Sequence, residues 1–273
     1  MDYTAKIIIA THKKYQMPND ELFLPVHVGA EGKLDNDGNP LNLGYTKDNT
    51  GDNISELNAS FCELTGLYWA WKNLDADYIG LAHYRRHFCY KKKSNNAFDN
   101  VLKYNELKPF LGKVKVFTPD KRRYYIESLY SHYAHTHYSS HLDETRKIIA
   151  EKYPEYLDSY DVVVKRTYGY MFNMMIMEKS YFNDYCAWLF DILFELKDRI
   201  DMPELSLFQG RFYGRVSEII FNVWLDYQLK TGKLKPNQVK EIPCIHMEKV
   251  NWIKKGTAFL KAKFFGAKYE ASF

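Results

Sequence analysis

The chain has 273 residues, with 38 lysines and arginines against 34 aspartates and glutamates, and its net charge of +4 excludes a general nucleic-acid binder, which needs a concentrated basic face. A hydrophobic share of 46% and a charged share of 26% suit a globular chain of one large domain. Four scattered cysteines (Cys62, Cys89, Cys186, Cys244) form no CxxC, and no apolar run approaches the length of a signal peptide or a membrane span, so a cytoplasmic protein with free thiols is expected.

The first element is Lys6–Ala10, a β-branched run that reads as a strand buried on both faces of a parallel sheet. Leu24–Ala30 suggests a short second strand, and a long polar loop follows over 31–51. Asn53 and Glu56 have the spacing of a capping box. The helix they open would bury Ile54, Leu57, Phe61, Leu64, Tyr68 and Trp71 and end near Asn73. Asp77–His83 is the next strand, and Val114–Thr118, stopped by Pro119, another. Residues 124–153 read as helical, Tyr168–Met177 as a strand, Ser180–Leu196 as an aromatic-rich helix and Glu218–Leu229 as a buried helix capped by Ser217. Residues 241–246 close the series. Strands alternating with helices give an α/β fold with a mostly parallel sheet. The aromatic share of 16% serves first as core, although rings also stack on sugars and nucleobases.

Ligands of open α/β sheets bind beyond the carboxyl ends of the strands. Thr11, His12 and Lys13 follow the first strand and combine groups suited to a nucleotide or diphosphate; a polar loop start is the plain alternative. His83-Tyr84-Arg85-Arg86-His87 ends another strand. Arginine forks match phosphate oxygens, while surface ion pairing is the alternative reading. Arg211 and Arg215 precede Ser217-Glu218, where a carboxylate in a first helical turn suits either the helix dipole or a general base. His132, His135, His137 and His141 form a cluster in which His137 and His141 have the spacing of a metal pair. No other ligand completes a metal motif, so surface or substrate-facing histidines are expected. The tail beyond residue 250 interleaves lysines with phenylalanines, as an interfacial helix or a docked C-terminal helix would.

Five segments together resemble a bacterial family of capsular and exopolysaccharide biosynthesis proteins catalogued as domain of unknown function 4422: IIIATHK (7–13), GDNISELNASFCELTGLYWAWKN (51–73), YIGLAHYRRHF (78–88), EKYPEY (151–156) and RFYGRVSE (211–218). The resemblance implies a GT-A-like glycosyltransferase domain over 1–250, leaving 251–273 as the basic aromatic tail, a membrane-face contact on the interfacial reading. It implies transfer of galactofuranose, or galactose, from a UDP-sugar to a lipid-linked or soluble glycan acceptor. Thr11, His12 and Lys13 would hold the nucleotide, and Asp52 and Asn53 would reach ribose or sugar hydroxyls. His83, Arg85, Arg86, Arg211 and Arg215 would face the diphosphate. His246 stands where that fold places a late histidine ligand. Glu218, or else His137, would be the base of an inverting displacement, with Arg85 stabilising the leaving group. The GT-A fold carries Asp-x-Asp for a divalent metal where this chain has His83-Tyr84-Arg85, so no metal cofactor is expected, with Mg²⁺ or Mn²⁺ as the fallback. A nucleotide-sugar-binding protein, a sugar-phosphate transferase and a carbohydrate-binding module are the competing readings.

Overall fold

The computed structural model describes residues 2–200, 206 and 208–248; the proposed tail lies outside these residues. The strands are β1 (Ala5–Thr11), β2 (Phe23–His27), β3 (Thr46–Lys47), β4 (Tyr78–His83), β5 (Arg86–Phe88), β6 (Val116–Thr118), β7 (Arg122–Arg123), β8 (Tyr168–Gly169), β9 (Met175–Glu178), β10 (Val239–Glu241) and β11 (Cys244–His246). The α-helices are α1 (Asn58–Phe61), α2 (Leu64–Asn73), α3 (Tyr104–Leu107), α4 (Leu129–Thr136), α5 (Ser140–Lys152), α6 (Leu157–Val163), α7 (Lys179–Arg199) and α8 (Phe212–Lys230). They fall into two compact units. The first comprises Met1–Asp120, Asn173–Cys186 and Leu234–Glu248, and the second contains Lys121–Phe172 and Ala187–Lys233.

The first unit holds a mixed sheet in the order β10-β6-β9-β4-β1-β2-β3, with β5 joined to β4 and β11 to β5. Strands β3, β2, β1 and β4 are parallel; β9 runs against both β4 and β6. Ile7, Ile8 and Ile9 of β1 are fully buried, as the unbroken β-branched run requires of a central strand covered on both faces. Gly80 in β4 has a steric reason: a Cβ there would stand 2.7 Å from the Met175 carbonyl oxygen of β9. The α/β class expected from the sequence is the fold observed.

The helix expected over 53–73 is broken. A 3₁₀ turn (Ser55–Leu57) and α1 precede α2, and Cys62 between them has φ 55° and ψ −129°, a conformation rarely taken by a residue with a Cβ. Asn53 does not cap the helix; Ile54 is the N-cap of the 3₁₀ turn, and Asn53 Oδ1 accepts from the Ser55 N–H. The break rotates the buried face, so Phe61, Leu64, Leu67 and Ala70 enter the core while Tyr68 and Trp71 stay half-buried.

In the second unit the expected helix over 124–153 is two helices, separated at His137–Ser139. The expected strand over 168–177 is likewise two, β8 of this unit and β9 of the first, with Phe172 and Asn173 at φ 75° and 54° between them. Helix α8 starts at Phe212, not at Glu218. The core of this unit is built of rings, with Trp224, Tyr160 and Tyr213 buried and Tyr156 stacked between Trp188 and Tyr227. Much of the aromatic excess is therefore packing.

Candidate functional site

The carboxyl edge of the parallel strands gathers one set of candidate residues in the first unit. Register places Thr11 opposite His27, His27 opposite Lys47, and His83 opposite Ala10. Thr11 is buried and its hydroxyl donates to the Lys13 carbonyl at 2.7 Å, so it shapes the loop that presents His12 and Lys13. Tyr84 is the hub of this edge. His12 meets its ring edge-on at 5.4 Å, the Lys13 ammonium lies 5.3 Å from its centroid and the Arg85 guanidinium 5.1 Å. A buried ring offers its negative face to cations, which keeps the rim basic without a carboxylate for each charge.

Strand β4 turns into β5 through Tyr84-Arg85, a two-residue reversal, and this answers how adjacent arginines fit at a strand end. His83 pairs with Arg86, and Arg86 pairs with His246. Directly opposed residues of antiparallel strands share a face, so His83, Arg86 and His246 form one row across β4, β5 and β11. Arg85 is displaced to the turn and ion-paired with Glu248 at 3.3 Å, which also accepts from the Tyr15 hydroxyl. Both partners of that pair are about half exposed, so it holds loosely against solvent. His87 points the other way, into the core against Phe23, and burial pushes its pKa down to about 4.

Asp52 and Asn53 are not brought to this edge. Their loop is tied to the C-terminal end of α2: the Asp52 N–H donates to Asn73 Oδ1, and Asn73 donates back to the Asp52 carbonyl. That end of α2 leads to the start of β4, the amino edge of the sheet.

Two features of the carboxyl side escaped the sequence reading. Asp48, fully buried after β3, accepts from the Gly29 and Ala30 N–H groups and from the Ser55 and Thr65 hydroxyls. It fastens the loop after β2 to the start of α2. Glu63, just ahead of α2, accepts from the Asn173 side-chain amide at 2.7 Å. The positive φ values at Cys62 and Asn173 flank this contact, and such strain gathers where a site is built. A lone aspartate in a polar loop gives no signal in sequence, and neither does a left-handed cysteine.

The remaining candidates lie in the second unit. His137 and His141 do not share a helix face: His137 ends α4 and His141 lies in α5. Nor are they surface groups. His137 Nδ1 is 2.9 Å from Gln209 Oε1, and since the Gln209 amide donates to the Thr136 carbonyl, Nδ1 carries the proton. Burial pushes His137 to about 3 and His141, bonded to Tyr133 and stacked on Phe212, to about 4. A base tuned near neutrality is therefore absent from His137. His132 and His135 both bond the buried carboxylate of Glu127. Glu218 stands in the second turn of α8, so it is not the first-turn carboxylate expected; it is 6% exposed and lies 3.3 Å from Arg215. Ser217, expected as its cap, donates instead to the Gly214 carbonyl. Arg211 is exposed at the start of the same helix. Among the described residues no three histidine, cysteine or carboxylate side chains gather as metal ligands do.

Fold and edge together define a class: an α/β protein whose parallel strands end on a basic, ring-lined rim. The chain belongs to the family described as Domain of unknown function (DUF4422), whose model matches residues 6–229. It is similar to the solved apo structure of the WbbM bifunctional glycosyltransferase, with 29% identity and a TM-score of 0.79, over 90% of this chain and 46% of that one. The chain thus spans about half the length of that structure. No curated protein matches it.

Proposed function

We propose that the chain is a glycosyltransferase that moves a sugar, galactofuranose or galactose, from a UDP donor to a glycan acceptor, lipid-linked or soluble, in the synthesis of a surface polysaccharide. The observation that carries this reading is the row His83–Arg86–His246 beside the Lys13–Tyr84–Arg85 cluster at the carboxyl edge. The likeness to a solved glycosyltransferase supports it.

In the proposed reaction the acceptor oxygen bonds to the anomeric carbon, the bond from that carbon to the diphosphate oxygen breaks, and UDP departs with inversion. His12 and Lys13 meet the nucleotide, on the loop that the buried Thr11 shapes. The cations of the edge neutralise the charge that builds on the departing diphosphate, the work a divalent metal does elsewhere. Arg85 joins them by exchanging Glu248 for phosphate oxygens. Glu218 is proposed as the acceptor base from its place in the RFYGRVSE segment alone; its burial and its pairing with Arg215 commit part of its carboxylate and do not themselves support the role.

The test is UDP release from a panel of UDP-sugars, with and without EDTA, in the presence of a glycan acceptor. Release with one donor, insensitive to EDTA and lost in Arg86→Ala, is expected. Activity abolished by EDTA and restored by Mn²⁺ would overturn the metal-free part. Unchanged turnover in Glu218→Gln would remove Glu218 from the reaction.

A further inference from the structure

The second unit carries a surface feature with no part in that chemistry. Tyr125 and Ile126 are 81% and 70% exposed, two large apolar side chains side by side in solvent. They are held there. The Ile126 N–H donates to the Tyr124 carbonyl two residues back, at 2.7 Å, and Tyr125 between them has φ 59°, which makes a tight three-residue turn with its centre in the left-handed region. A tyrosine rarely adopts that conformation, and such strain persists only when the surroundings impose it.

The surroundings do impose it. On one side β7 pairs with β8, and the Tyr124 N–H donates to the Thr167 carbonyl. On the other side the next residue, Glu127, is buried, and both its carboxylate oxygens are taken by His132 and His135. The tip is therefore clamped at both ends, and its apolar pair projects outward at a cost in exposed surface and strain.

The tip itself is cationic, and the carboxylates that flank it have partners: Asp120 accepts from the Cys244 N–H, and Glu127 is bonded to His132 and His135. The stretch Lys121-Arg122-Arg123-Tyr124-Tyr125-Ile126 has three cations and no carboxylate. Rings hold these cations: Arg122 lies over Tyr124 at 4.9 Å, Arg123 over Tyr168 at 5.7 Å and Lys121 over Tyr170 at 5.2 Å. Exposed Lys165 adds a fourth on the segment that accepts hydrogen bonds from this one.

We infer that the 121–126 tip is a docking surface for an anionic lipid bilayer, with Tyr125 and Ile126 entering the headgroup layer and Lys121, Arg122, Arg123 and Lys165 meeting lipid phosphates. An amphipathic tyrosine beside an aliphatic side chain suits the interfacial zone, and clustered cations add an attraction that salt screens. The inference stands apart from the glycosyl-transfer reading, since vesicle binding needs neither nucleotide nor turnover.

Flotation of the full chain with vesicles tests it, comparing phosphatidylcholine alone with a phosphatidylcholine–phosphatidylglycerol mixture. Binding to the anionic vesicles alone, weakened by salt, is expected. It should fall by roughly tenfold or more in Tyr125→Ser/Ile126→Ser and in Arg122→Gln/Arg123→Gln. Thermal melts confirm that the variants fold. Wild-type protein that ignores anionic vesicles would overturn the inference. So would undiminished binding in well-folded tip variants, which would move the contact elsewhere on the chain. Self-association of wild type that the tip variants abolish, with no vesicle binding, would mark the tip as a contact between protein copies and would equally overturn it.

Discussion

The carboxyl edge of the first unit and the histidine cluster of the second contain similar residue types and treat them in opposite ways. At the edge, His12, Lys13 and Arg85 are arranged around one tyrosine ring, and the single carboxylate on Arg85 is a half-exposed partner that a ligand can displace. In the cluster, His137, His141 and Glu127 are buried, and the partly exposed His132 and His135 are committed to Glu127. The difference teaches that the density of reactive side chains does not mark a site. A group already desolvated and hydrogen-bonded has little left for a substrate, and its pKa shows it: burial holds His137 near 3, below the range of an efficient base at neutral pH.

The contrast can be broken in several ways, the largest first. Arg86→Ala should lower turnover by about 10²–10³-fold, the usual loss when a group that stabilises transition-state charge is removed, as read by steady-state UDP release. A loss below tenfold would return the edge to the status of a surface. Asp48→Ala strands four donors beside the edge, and chemical denaturation should show roughly 3 kcal/mol or more lost. Gly80→Ala forces a Cβ toward the Met175 carbonyl and should cost about 1–3 kcal/mol in the same measurement. It sharpens the comparison by disturbing the sheet without altering any charge at its edge.

The smallest effect concerns acid. Unfolded histidine binds a proton near 6.5, whereas folded His87, His137 and His141 do so only near 4, 3 and 4. Their folded pKa values are depressed, so the stability they protect is present above about pH 6.5 and is lost as the pH falls toward those values. Between pH 7 and 5.5 each should cost about 1 kcal/mol. Thermal melts over that window should show the decline, and its reduction in His137→Gln; a flat profile would mean these side chains are not buried as described.

The parallel sheet was legible because β1 is a run of β-branched residues that no amphipathic surface tolerates, and because strands and helices alternate. The breaks were not. The apolar spacing of 54–71 continues through Cys62, and a cysteine announces no left-handed turn, so a fractured helix read as one. Phe172-Asn173 hid in an apolar run in the same way. At the site, arginines at a strand end signalled an anion, but only the Tyr84-Arg85 reversal shows that Arg86, not Arg85, stands in the row with His83 and His246. Asp52 and Asn53 were placed by an assumed cap, and Glu218 by an assumed helix start; both assumptions failed because long-range packing set those boundaries.

The most direct measurement is UDP affinity by calorimetry for wild type, Arg86→Met and His137→Gln. Measurable binding by wild type, a loss of roughly tenfold or more in Arg86→Met and little change in His137→Gln are expected. Binding that survives Arg86→Met but disappears in a folded His137→Gln would contradict this and move the nucleotide to the second unit.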